Sequence, residues 1–293
     1  MKFGFILPNF GGRITAKGIV RISQKAEEAG FESVFATDHI VMPRDMQEPY
    51  GNLVEPMMLL SFVAARTTKL KLGTSVIVLP QRNPVLVAKQ ATALDVLSNG
   101  RIILGLGAGW AEKEFAYLNA DFKRRGKVFD ESIELMRSLW SGEPVDFLGR
   151  FFKINGAIFL PKPVQERIPI WIGGSSDSAL RRAARLGDGW HPVGPNVETY
   201  RKGVERIKRT RRQQFTYSVR MTVDVRKRRE DYVSATGEKR ITVSGTGRDL
   251  RKGIGEFEKV GLDYFVASIL HPREEDIIAD IKTFSKEVIR SYL

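Results

Sequence analysis

The stretch LKLGTSVIVLPQRNPVLVAKQATALDVLSNGRIILGL (70–106) decides the fold class. Its two short apolar runs, at 70–79 and 102–106, have the length and composition of buried strands. Between them, Pro84 begins an amphipathic segment that reaches residue 97, and proline suits the first turn of a helix. A strand, a helix and a strand in this order predict two parallel strands joined by a right-handed crossover.

The same alternation continues in both directions along the chain. Further strands are predicted at 3–7, 33–36, 168–172, 187–191, 215–225 and 264–269. Further helices are predicted at 15–29, 55–66, 124–140, 176–186, 196–212, 247–260 and 273–291. Eight such units in 293 residues predict one α/β domain, a (β/α)8 TIM barrel over 1–293. A hairpin insertion is expected near 145–160 and a polar insertion near 225–244.

An open, doubly wound sheet is the alternative architecture for strand–helix alternation. Such a sheet usually carries a GxGxxG fingerprint at its first strand-to-helix turn. Here that turn reads PNFGG (8–12), which lacks the fingerprint. The barrel is therefore the favoured fold.

Composition excludes several classes of site. The chain has no cysteine, which excludes disulfide scaffolds, thiol catalysis and cysteine-ligated metals. It has three histidines, which argues against a histidine-rich metal site, so we expect no metal. No stretch reaches 18 apolar residues, and the first apolar run is too short for a signal peptide. We expect a cytoplasmic protein without a membrane partner.

The net charge of +13 favours anionic partners. The densest basic run is RKGVERIKRTRR (201–212), in which Val204 and Ile207 lie three residues apart. This spacing is typical of a helix with a solvated, charged outer face. No nucleic-acid-binding motif accompanies the run, so we expect no nucleic-acid partner.

In a barrel of this kind, functional residues lie at the carboxyl ends of the strands. Asp38 and His39 follow the second strand, where a histidine can act as a general acid or base or serve only in packing. GGSSDS (173–178) follows the fifth strand. It can bind phosphate through a helix N-terminus, or form a tight turn with a serine cap. GLGAGW (105–110), His191 and His271 also follow strands, with weaker signals.

Five motifs occur together in this chain. They are GFESVFATDH (30–39), LGTSV (72–76), RNPVLVAKQATALDVLSNGRIILGLGAGW (82–110), PIWIGGSS (169–176) and GDGW (187–190). In combination they resemble the luciferase-like flavin oxidoreductase superfamily, the family of bacterial luciferase-like monooxygenases. The closest match is its branch that uses the deazaflavin coenzyme F420. The resemblance covers about residues 1–290 and implies the same barrel.

The resemblance also implies roles for individual residues. Asp38 and His39 match a pair that faces the deazaflavin ring, with His39 as the catalytic proton donor or stabiliser of negative charge. Ser75–Val76 matches a non-proline cis peptide that forms a bulge behind the ring. Cofactor contacts are further implied for the backbone at Ala108 and Gly109, and for the phosphate site at Gly173, Gly174 and Ser175.

One position departs from the family pattern. Sugar-phosphate dehydrogenases of the deazaflavin branch carry a glutamate after the strand 4 glycines as a second proton carrier, and here Trp110 replaces it. An indole N–H donates only, so it cannot take over that role. Glu112 and Glu114 lie nearby in sequence. Trp110 and His191 are the candidates for the substrate pocket.

Taken as a resemblance, the function implied is hydride transfer between coenzyme F420 and a small-molecule organic substrate. The alternative is a monooxygenase that uses reduced FMN and oxygen. A second alternative is a protein that binds flavin or nucleic acid without catalysis. Because family members are commonly dimers, we also expect a homodimer.

Overall fold

Eight parallel strands close into a barrel, which confirms the (β/α)8 fold predicted from the sequence. The computed structural model describes residues 1–11, 15–211, 213–226, 229–235 and 237–292. Each strand pairs with the next, and β8 pairs with β1. The strands are β1 (Lys2–Ile6), β2 (Ser33–Ala36), β3 (Lys71–Thr74), β4 (Ile102–Gly107), β5 (Ile170–Gly173), β6 (Gly189–His191), β7 (Thr216–Asp224) and β8 (Tyr264–Ser268).

The helices cover the outside of the barrel. They are α1 (Ala16–Glu28), α2 (Pro56–Ala64), α3 (Pro84–Ser98), α4 (Glu112–Tyr117), α5 (Arg125–Ser141), α6 (Asp177–Leu186), α7 (Val197–Thr210), α8 (Gly247–Lys259) and α9 (Glu274–Glu287). Short 3-10 turns occur at Arg44–Met46, Leu79–Gln81 and Ile289–Tyr292. As expected, Pro84 occupies the first turn of α3, whose N-cap Asn83 accepts a hydrogen bond from the Val85 amide.

The strand predicted at 70–79 is interrupted. It forms β3 up to Thr74, continues through a cis peptide between Ser75 and Val76, and resumes as Ile77–Val78. This last piece pairs with the carboxyl end of β4, next to the pairing of β3 itself. The Thr74 hydroxyl donates to the carbonyl of Gly105 at 2.7 Å and ties the interruption to β4.

The first predicted insertion forms as expected. Val145–Leu148 and Lys153–Ala157 make an antiparallel hairpin. In the second insertion, Tyr232–Val233 pairs with Lys239–Arg240, and Thr242–Ser244 then adds to β7 in parallel. Residues 227, 228 and 236 of this insertion lie outside the described residues, as do Gly12 of the first turn and Arg212 of the basic run.

One element was not predicted. Helix α4 has only six residues, and its apolar content is too small to produce a helical period. It follows the glycine-rich end of β4 directly and positions Glu112 and Glu114 in its first turn. Because this helix was not predicted, the sequence alone could not show which of the two glutamates faces inward.

Apolar side chains fill the inside of the barrel. Phe35 is the centre of this packing, with stacked ring contacts to Trp171 at 5.6 Å and to His191 at 5.5 Å. The other buried members of this inner cluster are Ile6, Phe10, Ile103, Tyr264 and Val266. The interior around Phe35 is therefore mainly apolar and aromatic, with His191 packed against it.

Among the described helices, none combines the length and apolar character needed to cross a bilayer. The cytoplasmic location expected from the sequence stays a prediction.

Candidate active site at the carboxyl end of the barrel

His39, directly after β2, pairs with Glu114 of α4. Its Nδ1 lies 2.9 Å from Oε2 of Glu114, and the two side chains are only 6% and 1% exposed. The other carboxylate oxygen accepts the backbone N–H groups of Ile40 at 2.7 Å and Val41 at 3.3 Å. Glu114 thus holds both the imidazole and the chain segment that follows it.

The surroundings of Glu114 favour its charged form. Burial alone raises the pKa of the Glu114 carboxyl, but the hydrogen bonds from His39 and the Ile40 amide outweigh it and leave that pKa below its usual value. An ionised carboxylate accepts only, so Nδ1 of His39 carries the shared proton. Nε2 of His39 hydrogen-bonds to none of the described residues. That nitrogen is available to a ligand.

Two aromatic rings flank the imidazole of His39. Tyr50 lies 4.7 Å away between ring centroids, and Trp110 lies 5.6 Å away with its ring at 81°. The structure therefore brings Trp110 beside the predicted catalytic histidine. Glu112 is exposed and does not join them. Glu114, two residues further along the helix, is the glutamate that points inward.

Asp38 directs both carboxylate oxygens into the protein. Oδ2 accepts the Val78 amide at 2.9 Å, and Oδ1 accepts from Arg82 at 2.7 Å. The Asp38 side chain is fully buried and Arg82 largely so. These bonds fix the chain that follows the cis peptide. A contact between Asp38 and a cofactor ring stays a prediction, and its established contacts are those of a positioning residue.

The cis peptide predicted between Ser75 and Val76 is confirmed. The Val76 side chain projects toward the ends of β4 and β5, where glycines make room for it. A Cβ on Gly107 would lie 2.7 Å from Cγ2 of Val76, and one on Gly173 would lie 3.1 Å from the same atom. Space for Val76 therefore explains these two glycines without reference to a ligand.

Gly109 has a different reason to be glycine. Its φ is +81°, a conformation that residues with a side chain rarely adopt. A Cβ there would lie 2.6 Å from both Val78 and Phe115. The Gly109 carbonyl accepts from Nε of Arg125 at 3.2 Å. Its neighbour Ala108 is half-buried against the core at the same strand end. Both residues directly follow the carboxyl end of β4, and their cofactor contacts remain predictions.

His191 lies deeper, at the end of β6, and is fully buried. Its Nδ1 lies 2.8 Å from the Ser218 hydroxyl, which donates its own hydrogen to the Trp190 carbonyl at 2.8 Å. Nδ1 must therefore carry the proton, and Nε2 accepts from the Ser75 hydroxyl at 2.9 Å. Burial, followed by the charge of Arg220, lowers the pKa of His191 to about 3. His191 is thus a neutral support behind Ser75.

Arg220 of β7 is a site residue that sequence reasoning missed. Its Nη1 donates to the Thr37 hydroxyl at 3.0 Å and to the Ser75 carbonyl at 3.1 Å. It therefore joins strand ends 2, 3 and 7 around the cis peptide. One signal could have revealed it: strand alternation places Arg220 on the same face as Ser218, which is an inward position for a charged residue.

The predicted phosphate site lies at the junction of β5 and α6. Gly174 has φ +98°, and its carbonyl accepts from the Trp190 indole at 2.8 Å. Ser176, rather than Ser175, is the N-cap and accepts the Ala179 amide at 3.2 Å. The serine cap and a phosphate site are compatible, because an N-cap satisfies only one of the unpaired amides in the first turn.

Two weaker candidates form ion pairs with acidic side chains. Nε2 of His271 lies 2.6 Å from Asp280, which also pairs with Arg226 at 2.7 Å. The basic run forms most of α7, where Arg201 pairs with Glu198 at 2.7 Å. The helix buries Tyr200, Gly203, Val204 and Ile207, as expected for a solvated charged face over an apolar one.

Comparison with known proteins identifies relatives over most of the chain. The family model described as luciferase-like monooxygenase matches residues 1–282. An uncharacterised protein of Mycobacterium tuberculosis is 37% identical over 205 residues, which are 66% of this chain and 70% of that protein. An F420-dependent glucose-6-phosphate dehydrogenase of Nocardia farcinica is 35% identical over 188 residues, which are 62% of this chain and 55% of that protein.

Solved structures share the fold at low sequence identity. A monooxygenase, RslO1 from Streptomyces bottropensis, superposes with a TM-score of 0.84 at 20% identity and full coverage of both chains. An F420-dependent secondary alcohol dehydrogenase superposes with a TM-score of 0.83 at 18% identity, covering 98% of each chain. Similarity at this level of identity shows the fold alone.

Proposed function

The chain belongs to the luciferase-like monooxygenase family, and we propose that this oxidoreductase uses coenzyme F420 for hydride transfer to or from a small organic substrate. The observation that carries the proposal is the His39–Glu114 pair, whose free Nε2 lies at the barrel mouth together with the cis peptide. Relatives named as F420-dependent dehydrogenases support the choice of cofactor.

The residues at the mouth fit a deazaflavin cofactor. The unpaired amides at the start of α6, next to Gly173, Gly174 and Ser175, would hold its phosphate. The backbone of Ala108 and Gly109 and the bulge at Ser75–Val76 would lie against its ring. When bound, the deazaflavin supplies a hydride carrier. The protein supplies orientation and a proton site.

His39 is the residue that moves a proton in this proposal. Hydride transfer to a carbonyl, or from an alcohol, requires a proton to be added to or removed from the substrate oxygen. Nε2 of His39 can perform that step, while Glu114 fixes the ring and offsets positive charge on it. Trp110 and Tyr50 flank the imidazole and limit the access of water to it.

Trp110 argues against the substrate of the named dehydrogenases. The second glutamate carrier of sugar-phosphate dehydrogenases is absent at this position, and Glu114 is already bound to His39 and two backbone amides. We therefore propose a substrate other than a sugar phosphate, served by one protein proton carrier.

The cofactor is tested by titrating the pure protein with F420 and FMN side by side and following fluorescence quenching. We expect F420 to bind about tenfold more tightly or better, a difference of about 1.4 kcal/mol. Preference for reduced FMN, with oxygen consumption, would favour the monooxygenase alternative, for which structural neighbours such as RslO1 have the same fold. Oligonucleotide binding with a steep salt dependence and no cofactor binding would contradict both.

The phosphate site is tested by Gly174→Ala. We expect cofactor affinity to fall by about 1–3 kcal/mol, because the backbone can no longer approach a phosphate closely. Gly156→Ala is the matched control, since it also has positive φ but lies in the hairpin with open space around it. Gly173→Ala is less informative because the new Cβ would contact Val76. Equal F420 affinity in the folded Gly174 variant and the control would contradict the site.

We also propose that two copies associate through an apolar face of α2 and α3. Met58, Phe62, Leu86 and Leu97 are exposed there, and Leu97 is 77% accessible. Large apolar faces of this kind mark association surfaces. Light scattering should report a dimer for the native chain and a monomer for Leu97→Glu. Leu148→Glu, at an equally exposed leucine of the hairpin, should leave the dimer intact.

A further inference from the structure

Arg220 carries a buried positive charge that no carboxylate of the described residues pairs with. The residue is only 7% exposed, and Nη1 donates to neutral acceptors, the Thr37 hydroxyl and the Ser75 carbonyl. Within the part of the chain that the structure describes, Arg220 makes no ion pair with a carboxylate. Its Nε and Nη2 donate to no described residue. The edge formed by these two N–H groups is the one that binds a carboxylate or phosphate through two parallel hydrogen bonds.

The charges near Arg220 do not offset it. Burial lowers the pKa of the Arg220 guanidinium and the nearby Arg240 lowers it further, while only the phenols of Tyr50 and Tyr232 act in the opposite direction. Phenols are neutral at physiological pH. An arginine nevertheless stays protonated in proteins, so the fold maintains an uncompensated cation whose burial is costly. An anionic ligand would remove that cost.

A continuous line of ring contacts joins Arg220 to His39. The guanidinium carbon lies 5.8 Å from the centroid of Phe10. Phe10 lies 5.3 Å from Tyr50, and Tyr50 lies 4.7 Å from His39. Two packed rings, Phe10 and Tyr50, therefore connect the guanidinium of Arg220 to the imidazole of His39.

We propose that Arg220 binds an anionic group of the substrate, a carboxylate or phosphate carried at a distance from the carbon that exchanges hydride. The role of the anion in the reaction rests on the proposed function, whereas its binding does not. The phosphate of the cofactor has a separate site, because α6 begins after β5 and Arg220 lies on β7, with β6 between them. Arg220 is thus available to a second anion.

The test uses trifluoroacetate as a carboxylate probe and trifluoroethanol as its neutral counterpart, observed by fluorine NMR on the cofactor-free protein. We expect the native chain to bind trifluoroacetate and not trifluoroethanol. Arg220→Met should weaken trifluoroacetate binding about ten- to hundredfold, because a charge-assisted pair is lost. Arg220→Lys should lose less, since it keeps the charge without the two-pronged edge. Arg206→Met, on the exposed surface of α7, is the matched control and should bind as the native chain does.

Repeating the titration with saturating F420 shows whether Arg220 binds an anionic group of the substrate or the phosphate of the cofactor. Undiminished trifluoroacetate binding that still depends on Arg220 supports a substrate site. Displacement by F420 would assign the guanidinium to the cofactor and overturn the proposal, as would equal binding by native chain and Arg220→Met. Thermal unfolding checks that each variant is folded. Because F420 affinity is read separately by fluorescence, a failure of the cofactor assignment is distinguishable from a failure of the anion site.

Discussion

His39 and His191 both lie at the carboxyl end of a barrel strand and both are buried, yet their surroundings differ. His39 faces the charged Glu114 carboxylate and keeps Nε2 free. His191 has both nitrogens bonded to serine hydroxyls, and Arg220 adds positive charge nearby. Burial is therefore common to the two histidines, and the charges and hydrogen-bond partners around each ring distinguish them.

The largest expected effect comes from His39→Ala. We expect the fold and most cofactor affinity to survive, while kcat falls by about 10²–10⁴, the usual contribution of a positioned acid or base. Steady-state rates on the natural substrate and F420 titrations, measured together, check this pattern. Normal turnover would make His39 a packing residue. Loss of all cofactor binding would make it a support of the ring pocket.

A smaller effect is expected from Glu114→Gln, which removes the charge that distinguishes the two histidines. The amide oxygen can still accept the backbone N–H groups of Ile40 and Val41, so the segment after β2 should stay in place. We expect kcat to fall about tenfold or more with little change in F420 affinity, because positive charge on His39 loses its partner. Glu112→Gln, an exposed position on the same helix, is the control and should retain full activity.

The smallest effect concerns stability at His191. The pKa of His191 in the folded protein is about 3, against an ordinary value of 6.5. Between these two pH values the histidine is protonated in the unfolded chain and neutral in the folded chain. The native protein should therefore lose stability from this residue as the pH falls, with a slope that approaches about 1.4 kcal/mol per pH unit well below pH 6.5. Urea unfolding at pH 7, 6 and 5 checks this prediction. The stability difference between the native chain and His191→Gln should shrink by about 0.7 kcal/mol from pH 7 to pH 6 and by about 1.2 kcal/mol from pH 6 to pH 5, and a constant difference would contradict the prediction.

Much of the fold could be read from local patterns. The apolar runs and amphipathic segments located all eight strands, and the hairpin at Val145–Ala157 followed from alternation around turn residues. The interruption of the third strand could not come from propensity, because no proline marks it. It was predicted by resemblance to LGTSV (72–76) and is confirmed. The short helix α4 was not predicted, because six residues are too few to show a helical period of apolar positions.

The sequence placed the candidate site at the strand ends, and it named only some of the residues that the structure brings together there. His39 and Trp110 were singled out and lie in contact. Gly107 and Gly173 make room for Val76, which only the folded chain reveals, and the cofactor contact implied for Gly173 stays a prediction. Arg220 was missed because a single charge within a strand carries no motif.

The sequence by itself determined the barrel and which residues stand at its mouth, because hydrophobic period and strand ends are local properties. Only the tertiary structure decided the partners of those residues. Closure of the barrel joins His39 to Glu114 across 75 positions of sequence and Arg220 to Ser75 across 145. The protonation state of a buried side chain depends on nearby charges and hydrogen bonds, because electrostatic interactions are strong at short distance in the low-dielectric interior. The Glu114-paired His39, the neutral His191 and the guanidinium of Arg220, which has no carboxylate partner among the described residues, therefore become distinguishable only once the chain has folded.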